Sequence, residues 1–436
     1  MLSRLIESDL EEWRQLPERE PLLLDGARQV GKTFLITQIF GLKRFRKVIH
    51  LDFREQPGLA QLFAQGLAPE TVLKNLAVHL GSDVDPNQDL VFFDEVGECQ
   101  PAVDSLKYFA EKLPKAFICA SGSNLGLLDS FPVGKVHWLT LSPLCFDEFV
   151  MASGNDRLHA AFRERDRSPV VHDQLWELLL DYYFVGGMPR AVSHWFSTSE
   201  KPAARIRGIQ EIHRRLIGGF RNDFGKYAGR IHAQHIDAVF TNIPRQLSAS
   251  RDGSVQRYRF RDIIEKKRRY AELQGPIDWL VAAQLAQKCH LVSGRPQIPL
   301  LPQSKPNAFR LYLSDVGLLG HMLELDYATQ HRQDTCFKGF IAENFVQNEI
   351  HTHIGRHTYG WRGTRAEIEF LHCGRHGDIV PIEVKSGART RARSLRTYLE
   401  QYQPPCAIKL IGSVGGESNG VIQTWPLYHA QFLRDL

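Results

Sequence analysis

Eight consecutive residues, Gly26-Ala27-Arg28-Gln29-Val30-Gly31-Lys32-Thr33, set two glycines, a lysine and a hydroxyl at the spacing G-x-x-x-x-G-K-[ST]. The glycines let the backbone turn tightly enough for successive N–H groups to converge on one anion. A helix starting near Lys32 adds the positive end of its dipole. The chemistry this supports is the cradling of a polyphosphate. Residues 26–33 line it, Lys32 reaches the β- and γ-phosphates, and the Thr33 hydroxyl ligates Mg²⁺. Further along, Asp89-Leu90-Val91-Phe92-Phe93-Asp94-Glu95 is an apolar run closed by two acids, the form of a Walker B segment. Asp94 is expected to hold the Mg²⁺ through water, and Glu95 to polarise the attacking water as general base. ATP and Mg²⁺ are the expected ligands.

Both groups of residues need a scaffold that brings them together, and the chain supplies one. Pro21-Leu22-Leu23-Leu24 before the octet reads as a strand, and Phe34-Leu35-Ile36 after it opens a helical pattern. Strands are also expected at 47–53, 89–95, 116–121 and 136–141, with helices between them at 69–80 and 101–112. Uninterrupted apolar strands alternating with helices imply a parallel sheet covered on both faces, with ligands bound at the carboxyl ends of its strands. After Pro143–Phe149 the pattern turns helical. Helices are expected at 172–184 and 201–220, broken by Gly186-Gly187-Met188-Pro189, followed by several short helices over 232–292 that could form a winged helix. From about 310 a helix leads to strands near 357–361, 366–372 and 379–386, a helix at 391–402, and strands at 406–413 and 421–425, suggesting a second α/β domain.

Composition narrows the class without naming it. A hydrophobic content of 43% and a charged content of 24% are those of a globular chain of two or three domains. Lys plus Arg exceed Asp plus Glu by only 54 to 49, which permits nucleic acid without demanding it. The seven cysteines are dispersed, fitting a reducing cytoplasm rather than a disulfide framework or a zinc site. The amino terminus is charged too early for a secretory signal, and no apolar run approaches a membrane span. A cytoplasmic location is expected.

The carboxyl-terminal region carries a second constellation. Glu367 and Glu369 share one face of a strand, Glu383-Val384-Lys385 follows on the next, and Glu343 lies on a preceding helix. Carboxylates so grouped can bind Mg²⁺ and activate water while a lysine steadies charge on a phosphodiester, the layout of PD-(D/E)xK nucleases; a solvated strand face is the alternative. Basic residues gather at Arg205–Arg230, including Arg214, Arg215, Arg221, Lys226 and Arg230. They gather again at Arg257–Arg269, including Lys266, Lys267, Arg268 and Arg269, and at Arg389, Arg391, Arg393 and Arg396. Phosphate attraction is one reading and a solvated helix face the other, with the middle group favoured for nucleic acid.

Taken in order, Gly-Ala-Arg-Gln-Val-Gly-Lys-Thr at 26–33, Phe-Phe-Asp-Glu at 92–95, Ser-Gly-Ser at 121–123, Pro-Leu-Cys-Phe-Asp-Glu-Phe at 143–149, Gly-Gly-Met-Pro at 186–189, Gly-Phe-Ile-Ala-Glu-Asn-Phe-Val at 339–346, Ala-Glu-Ile-Glu-Phe at 366–370 and Pro-Ile-Glu-Val-Lys-Ser-Gly at 381–387 span nearly the whole chain. On these motifs the chain resembles prokaryotic AAA-type P-loop ATPases, archaeal-type and STAND-related, with a carboxyl-terminal domain of unknown function. The resemblance implies an AAA-type parallel-sheet ATPase domain at 1–150, a helical lid or connector at 151–230, a winged-helix-like domain at 231–305, and a restriction-endonuclease-like α/β domain at 306–436. It implies that a polar residue among Ser121, Ser123 and Asn124 touches the γ-phosphate or the lytic water, and Ser123 is taken for that role beside Lys32 and Glu95. Two positions depart from the family. Gly134-Lys135 stands where Gly-Arg is usual, which weakens any arginine-finger role there. Glu369 stands where the nucleases prefer Asp, and a ligand misplaced by about 1 Å can cost roughly a hundredfold in rate. The expected activity is ATP hydrolysis driving a switch or motor on DNA. The alternatives are a regulator of a protein partner with an inactive nuclease-like domain, and a metal-dependent DNA nuclease. A nucleotide, DNA, a protein partner or further copies of the chain are the partners allowed.

Overall fold

The structure, a computed structural model, describes residues 2–123, 125, 134–197, 201–249, 255–332, 338–375, 377–387 and 393–436, with backbone only at 226–231. Asn124, Arg389 and Arg391 lie outside the described residues, as do the side chains of Lys226 and Arg230. The chain forms two units, residues 1–142 with 282–284, and residues 143–281 with 285–436.

Unit 1 is built on five strands: β1 (Leu22–Asp25), β2 (Val48–Asp52), β3 (Leu90–Asp94), β4 (Ile118–Gly122) and β5 (His137–Thr140). Their order is β2-β3-β4-β1-β5, and every neighbouring pair is parallel. All residues of β1, β3 and β4 are buried, which is why these segments read as apolar runs rather than alternations. Leu23, Leu51, Val91, Phe93 and Ile118 form a core with Val72 and Leu76 of helix Pro69–Leu80 and Val103, Leu106 and Phe109 of helix Gln100–Lys112. The helix after the octet runs from Lys32 to Arg44, with a π-wound middle turn at Leu35–Gly41.

Unit 2 opens with helices Phe146–Ala152, Asp156–Arg163, Pro169–Val185 and Pro189–Ser197. Phe146 lies among the rings of Phe162, Tyr182, Phe345 and Tyr428, and its backbone N–H donates to Glu349 Oε1 at 2.9 Å. Gly186 has φ +70°, and an added Cβ would stand 2.2 Å from Asp315 Oδ1. The same Asp315 accepts from Gly187 N at 2.7 Å and Leu318 N at 2.8 Å. The Gly-Gly-Met-Pro motif is thus a packing joint that admits no side chain at its first residue.

Helix Pro202–Leu247 is a single run of backbone bonds, yet Arg221 pairs with Asp237 at 2.8 Å and the Phe224 and Phe240 rings lie 5.6 Å apart. A straight helix would hold each of these pairs about 24 Å apart along its axis. The segment therefore doubles back between Phe224 and Asp237 into two arms. Where several short helices are expected over 232–292, the described residues hold the second arm of this helix, helix Tyr270–Ala282 and the strand β6 (Ala286–Val292).

β6 enters an eight-stranded sheet with β7 (Ser304–Leu313), β8 (Thr358–Arg362), β9 (Glu367–Cys373), β10 (Ile379–Lys385), β11 (Ala407–Ile411), β12 (Ser418–Asn419) and β13 (Ile422–Pro426), in the order β12-β13-β11-β10-β9-β8-β6-β7. β8, β9 and β10 are antiparallel neighbours, and β11 lies parallel to β10 after the crossover helix Arg393–Tyr402. The chain at 304–313, expected to lead into a helix, is the strand β7, and the expected border at 305/306 falls inside it. β6 and β7 belong to the sheet that carries β9 and β10, so the divisions 231–305 and 306–436 share one sheet. Among the described residues no helix is long and apolar enough to cross a membrane.

Candidate functional site

The octet follows β1 directly. Gly26 is required there, since a Cβ would stand 2.4 Å from the Leu141 carbonyl oxygen. Gln29 at φ +64° and Gly31 at φ +95° turn the loop through left-handed conformations before the helix begins at Lys32. The Lys32 side chain is buried and folds back over the loop. Its Nζ donates to the carbonyls of Gly26 at 2.7 Å and Ala27 at 3.0 Å, and to Ser123 Oγ at 3.2 Å. Burial lowers its pKa against the opposing pull of Glu95, Asp25 and Asp94.

β3, which ends at Asp94, is separated from β1 by β4. Thr33 Oγ1 donates to Asp94 Oδ2 at 2.6 Å, and the Ser121 hydroxyl at the end of β4 donates to Asp94 Oδ1. His50 Nε2 lies 3.0 Å from Asp94 Oδ2. Burial would raise the Asp94 carboxyl, but the bonds from His50, Ser121 and Thr33 together hold it below the ordinary carboxylate value. Glu95 has φ +48°, a left-handed conformation that costs about 1 kcal/mol for a residue with a side chain. Strain of this kind concentrates at working sites. Burial raises the Glu95 pKa against the lowering effect of Lys32 and Arg28, which makes its carboxylate a better proton acceptor than an exposed one.

The donor set fits a hard cation: the Thr33 hydroxyl and the Asp94 carboxylate already converge on one point, as oxygen ligands of Mg²⁺ would. His50 and Asp52 enlarge it. One ligand atom from each of His50, Asp52 and Asp94 lies within 4.8 Å of the others. Sequence reading did not select His50 or Asp52. The signal was the alternation His50-Leu51-Asp52 on β2, which acquires meaning once Asp52 pairs in register with Asp94. Ser123, Lys32, Thr33, Asp94 and Glu95 are thus brought to one end of the sheet of unit 1. Lys135 is elsewhere engaged, pairing with Glu111 at 3.2 Å.

In unit 2, Glu343 on helix Lys338–His353, Glu369 on β9, and Glu383 and Lys385 on β10 also come together. Lys385 Nζ lies 3.0 Å from Glu369 Oε1 and 3.4 Å from Glu383 Oε1. Glu343 accepts from Val255 N at 3.1 Å and from the Tyr312 hydroxyl at 3.3 Å. Burial, reinforced by Glu369, pushes the Glu343 carboxyl up to about 8. Burial also pushes Glu383 up to about 7 although Lys385 opposes it. Burial works against the Lys385 ammonium, but Glu369 and Glu383 outweigh it and raise its pKa. Glu369 Oε2 and Glu383 Oε2 are buried without a hydrogen-bond partner. Buried carboxylate oxygens that meet no hydrogen-bond donor among the described residues are a feature that a cation could satisfy. Glu367 stands apart, pairing with Arg310 at 2.9 Å and Arg362 at 3.0 Å.

The basic group at 266–269 lies on a turn closed by a bridge between Ile264 and Lys267, ahead of helix Tyr270–Ala282. Lys266, Arg268 and Arg269 are exposed, and Lys267 Nζ lies 3.3 Å from His235 Nδ1. The Glu272 carboxylate accepts from the backbone N–H groups of Arg268 and Arg269 at 2.8 Å each, capping the helix.

Comparison with known families matches residues 18–150 to the family described as AAA domain. Unit 1 carries an AAA-type P-loop domain. Residues 177–329 match a domain of unknown function (DUF8612) and residues 338–427 another (DUF4143). No curated protein matches the chain. Among solved structures it is similar to a signal transduction ATPase with numerous domains from Pyrococcus horikoshii that carries a tetratricopeptide repeat sensor. The identity is 11% and the TM-score 0.26, over 80% of this chain and 45% of that one. The chain thus spans less than half the length of that protein. Nucleotide binding follows from the AAA domain.

Proposed function

We propose that the AAA domain binds ATP with Mg²⁺ on residues 26–33 and hydrolyses it. The observation that carries this reading is the meeting of Thr33 and Asp94 at 2.6 Å, which joins the phosphate loop to the acidic end of a strand two places away. Thr33 and Asp94 would hold the Mg²⁺, which when bound spreads the charge developing on the phosphates. Lys32 then leaves the Gly26 and Ala27 carbonyls for the β- and γ-phosphates. Ser123, already bonded to Lys32, lies where it can orient the γ-phosphate or the attacking water. Glu95 accepts the proton of that water. Asp94, kept ionised by three donors, does not compete for it.

The hydrolysis cycle would serve as a switch or motor on DNA. The exposed side chains of Lys266, Arg268 and Arg269, with Lys267 beside His235, support this, since clustered cations attract a phosphate backbone. A second reading is metal-dependent cleavage of DNA by Glu343, Glu369, Glu383 and Lys385, and the partnerless Glu369 and Glu383 oxygens favour it. The rival is a regulator that toggles a protein partner with this cluster inactive. One experiment separates the three: ATP turnover by the full chain with and without DNA, with DNA breakage followed in the same tube. Turnover raised by DNA, with the rise lost when residues 266–269 are neutralised, supports the first. Nicking with Mg²⁺ or Mn²⁺ that Lys385→Ala removes supports the second. Turnover indifferent to DNA, without nicking, leaves the regulator. Absence of ATP turnover overturns the hydrolytic reading itself.

A further inference from the structure

Unit 2 holds a cavity of about 700 Å³ that none of the chemistry above uses. The two arms of helix Pro202–Leu247 form most of its wall. Gln210, Arg214, Ile217 and Arg221 recur at helical spacing on the first arm, and Thr241 and Arg245 lie on the second. Helix Val316–Met322 and the turn after it close the far side with His321 and Glu324, and Phe184 and Ile217 are buried beneath.

Arg214, Arg221 and Arg245 face the cavity with Glu324, and the carboxylates that Arg214 and Arg221 meet, Glu211 and Asp237, stand outside the lining. Arg221 is held in place across the two arms, its Nε on Asp237 at 2.8 Å and its Nη2 on Thr241 Oγ1 at 3.1 Å. Arg214 shares Glu211 with Arg215. Arg245 pairs with no carboxylate among the described residues. His213 is fixed by a bond between its Nε2 and the Val185 carbonyl at 3.0 Å. Arg245, with the guanidinium N–H groups that Arg214 and Arg221 do not commit to Glu211, Asp237 and Thr241, lies over an apolar floor and matches an anion with several oxygens. The volume falls among small-molecule sites of about 300–1,000 Å³.

We propose that this cavity binds a small phosphorylated ligand, bearing a phosphomonoester or a short polyphosphate chain, distinct from the nucleotide of the AAA domain. The proposal does not rest on ATP hydrolysis. Gly218 supplies a clean probe, because it lines the cavity and a Cβ added there meets nothing within 4 Å. A longer side chain grows into the open space without pressing on the backbone.

The test uses the full chain carrying Lys32→Ala, so that the phosphate loop does not contribute, titrated calorimetrically with sodium tripolyphosphate and, separately, inorganic phosphate. Saturable binding of tripolyphosphate at one site per chain is expected. Arg245→Ala and Gly218→Leu each weaken it at least tenfold, the melting temperature is unchanged, and Arg157→Ala, exposed and outside the cavity, has no effect. Arg221→Ala breaks a contact between the arms, so if it fails to fold, Arg245→Ala and Gly218→Leu decide. Absence of saturable binding overturns the proposal, as does binding that Arg245→Ala and Gly218→Leu leave unchanged. A single-stranded oligonucleotide that outcompetes tripolyphosphate at the same arginines also overturns it, making the cleft a nucleic-acid surface.

Discussion

In the AAA domain Lys32 is surrounded by carbonyl and hydroxyl oxygens, whereas in unit 2 Lys385 sits between two carboxylates. Both are lysines in acidic neighbourhoods, and their surroundings act on them in opposite directions. Burial lowers the Lys32 pKa, and among the described residues no carboxylate bonds to it, which suits the incoming phosphate of the proposed function. Glu369 and Glu383 raise the Lys385 pKa, and burial pushes Glu343 and Glu383 towards neutrality, so the ammonium is already matched by the carboxylates around it. The first arrangement suits the phosphate of the proposed function, whereas in the second the lysine's charge is already met by carboxylates. A motif that juxtaposes Lys with Asp or Glu does not specify which, because the answer depends on whose oxygens complete the shell.

The contrast is tested most strongly at Lys32. Lys32→Ala should weaken binding of a fluorescent ATP analogue by about a hundredfold or more, the scale of a lost charge-assisted contact to phosphate, while Lys385→Ala leaves that affinity alone. Equal losses from both variants would erase the distinction. Glu95→Gln should bind nucleotide normally and lower ATP turnover by roughly 10²–10⁴, the contribution of a positioned general base. Unchanged turnover would remove Glu95 from that role.

Lys385→Ala leaves the buried Glu369 and Glu383 without their ammonium partner, and breaking such a buried pair costs about 3–5 kcal/mol. Calorimetric melting should show a lower midpoint for the variant, with Mg²⁺ or Mn²⁺ restoring part of the loss. No recovery with either ion would count against a cation site. The smallest effect belongs to Glu343. Its folded pKa of about 8 lies above its ordinary 4.5, so its proton stabilises the fold fully below pH 4.5, and that contribution is lost as pH rises through about 8. Glu343→Gln keeps an acceptor for the Val255 N–H and offers an N–H donor to the Tyr312 hydroxyl, without ionising. It should raise the melting midpoint by a few degrees at pH 8 and hardly at pH 5. A gain of the same size at both pH values would mean packing rather than protonation.

Much of unit 1 is legible along the chain. Strands buried on both faces appear as apolar runs, and β1 to β5 fall within two residues of where those runs place them. β8 to β11 and helix Arg393–Tyr402 are nearly as clear, because alternation and flanking turns mark them. The stretch at 202–313 is not. Helical periodicity continues through the reversal of Pro202–Leu247, and β6 and β7 are stabilised by strands distant in sequence, β6 pairing with β8. His50 was missed for a related cause: nothing near it in sequence is catalytic in form, and it meets Asp94 through strand register alone.

Local order of residues was enough to establish a phosphate loop, an acidic strand end and a parallel sheet, since spacing, turn chemistry and hydrophobic period are properties of short segments. Which side chains share a shell was settled by folding: His50 with Asp94, Lys385 with Glu369, Arg221 with Asp237 and Thr241. Those meetings depend on strand register and on a helix doubling back, and they set burial and neighbouring charge, the quantities that govern whether a group is ionised and what it binds.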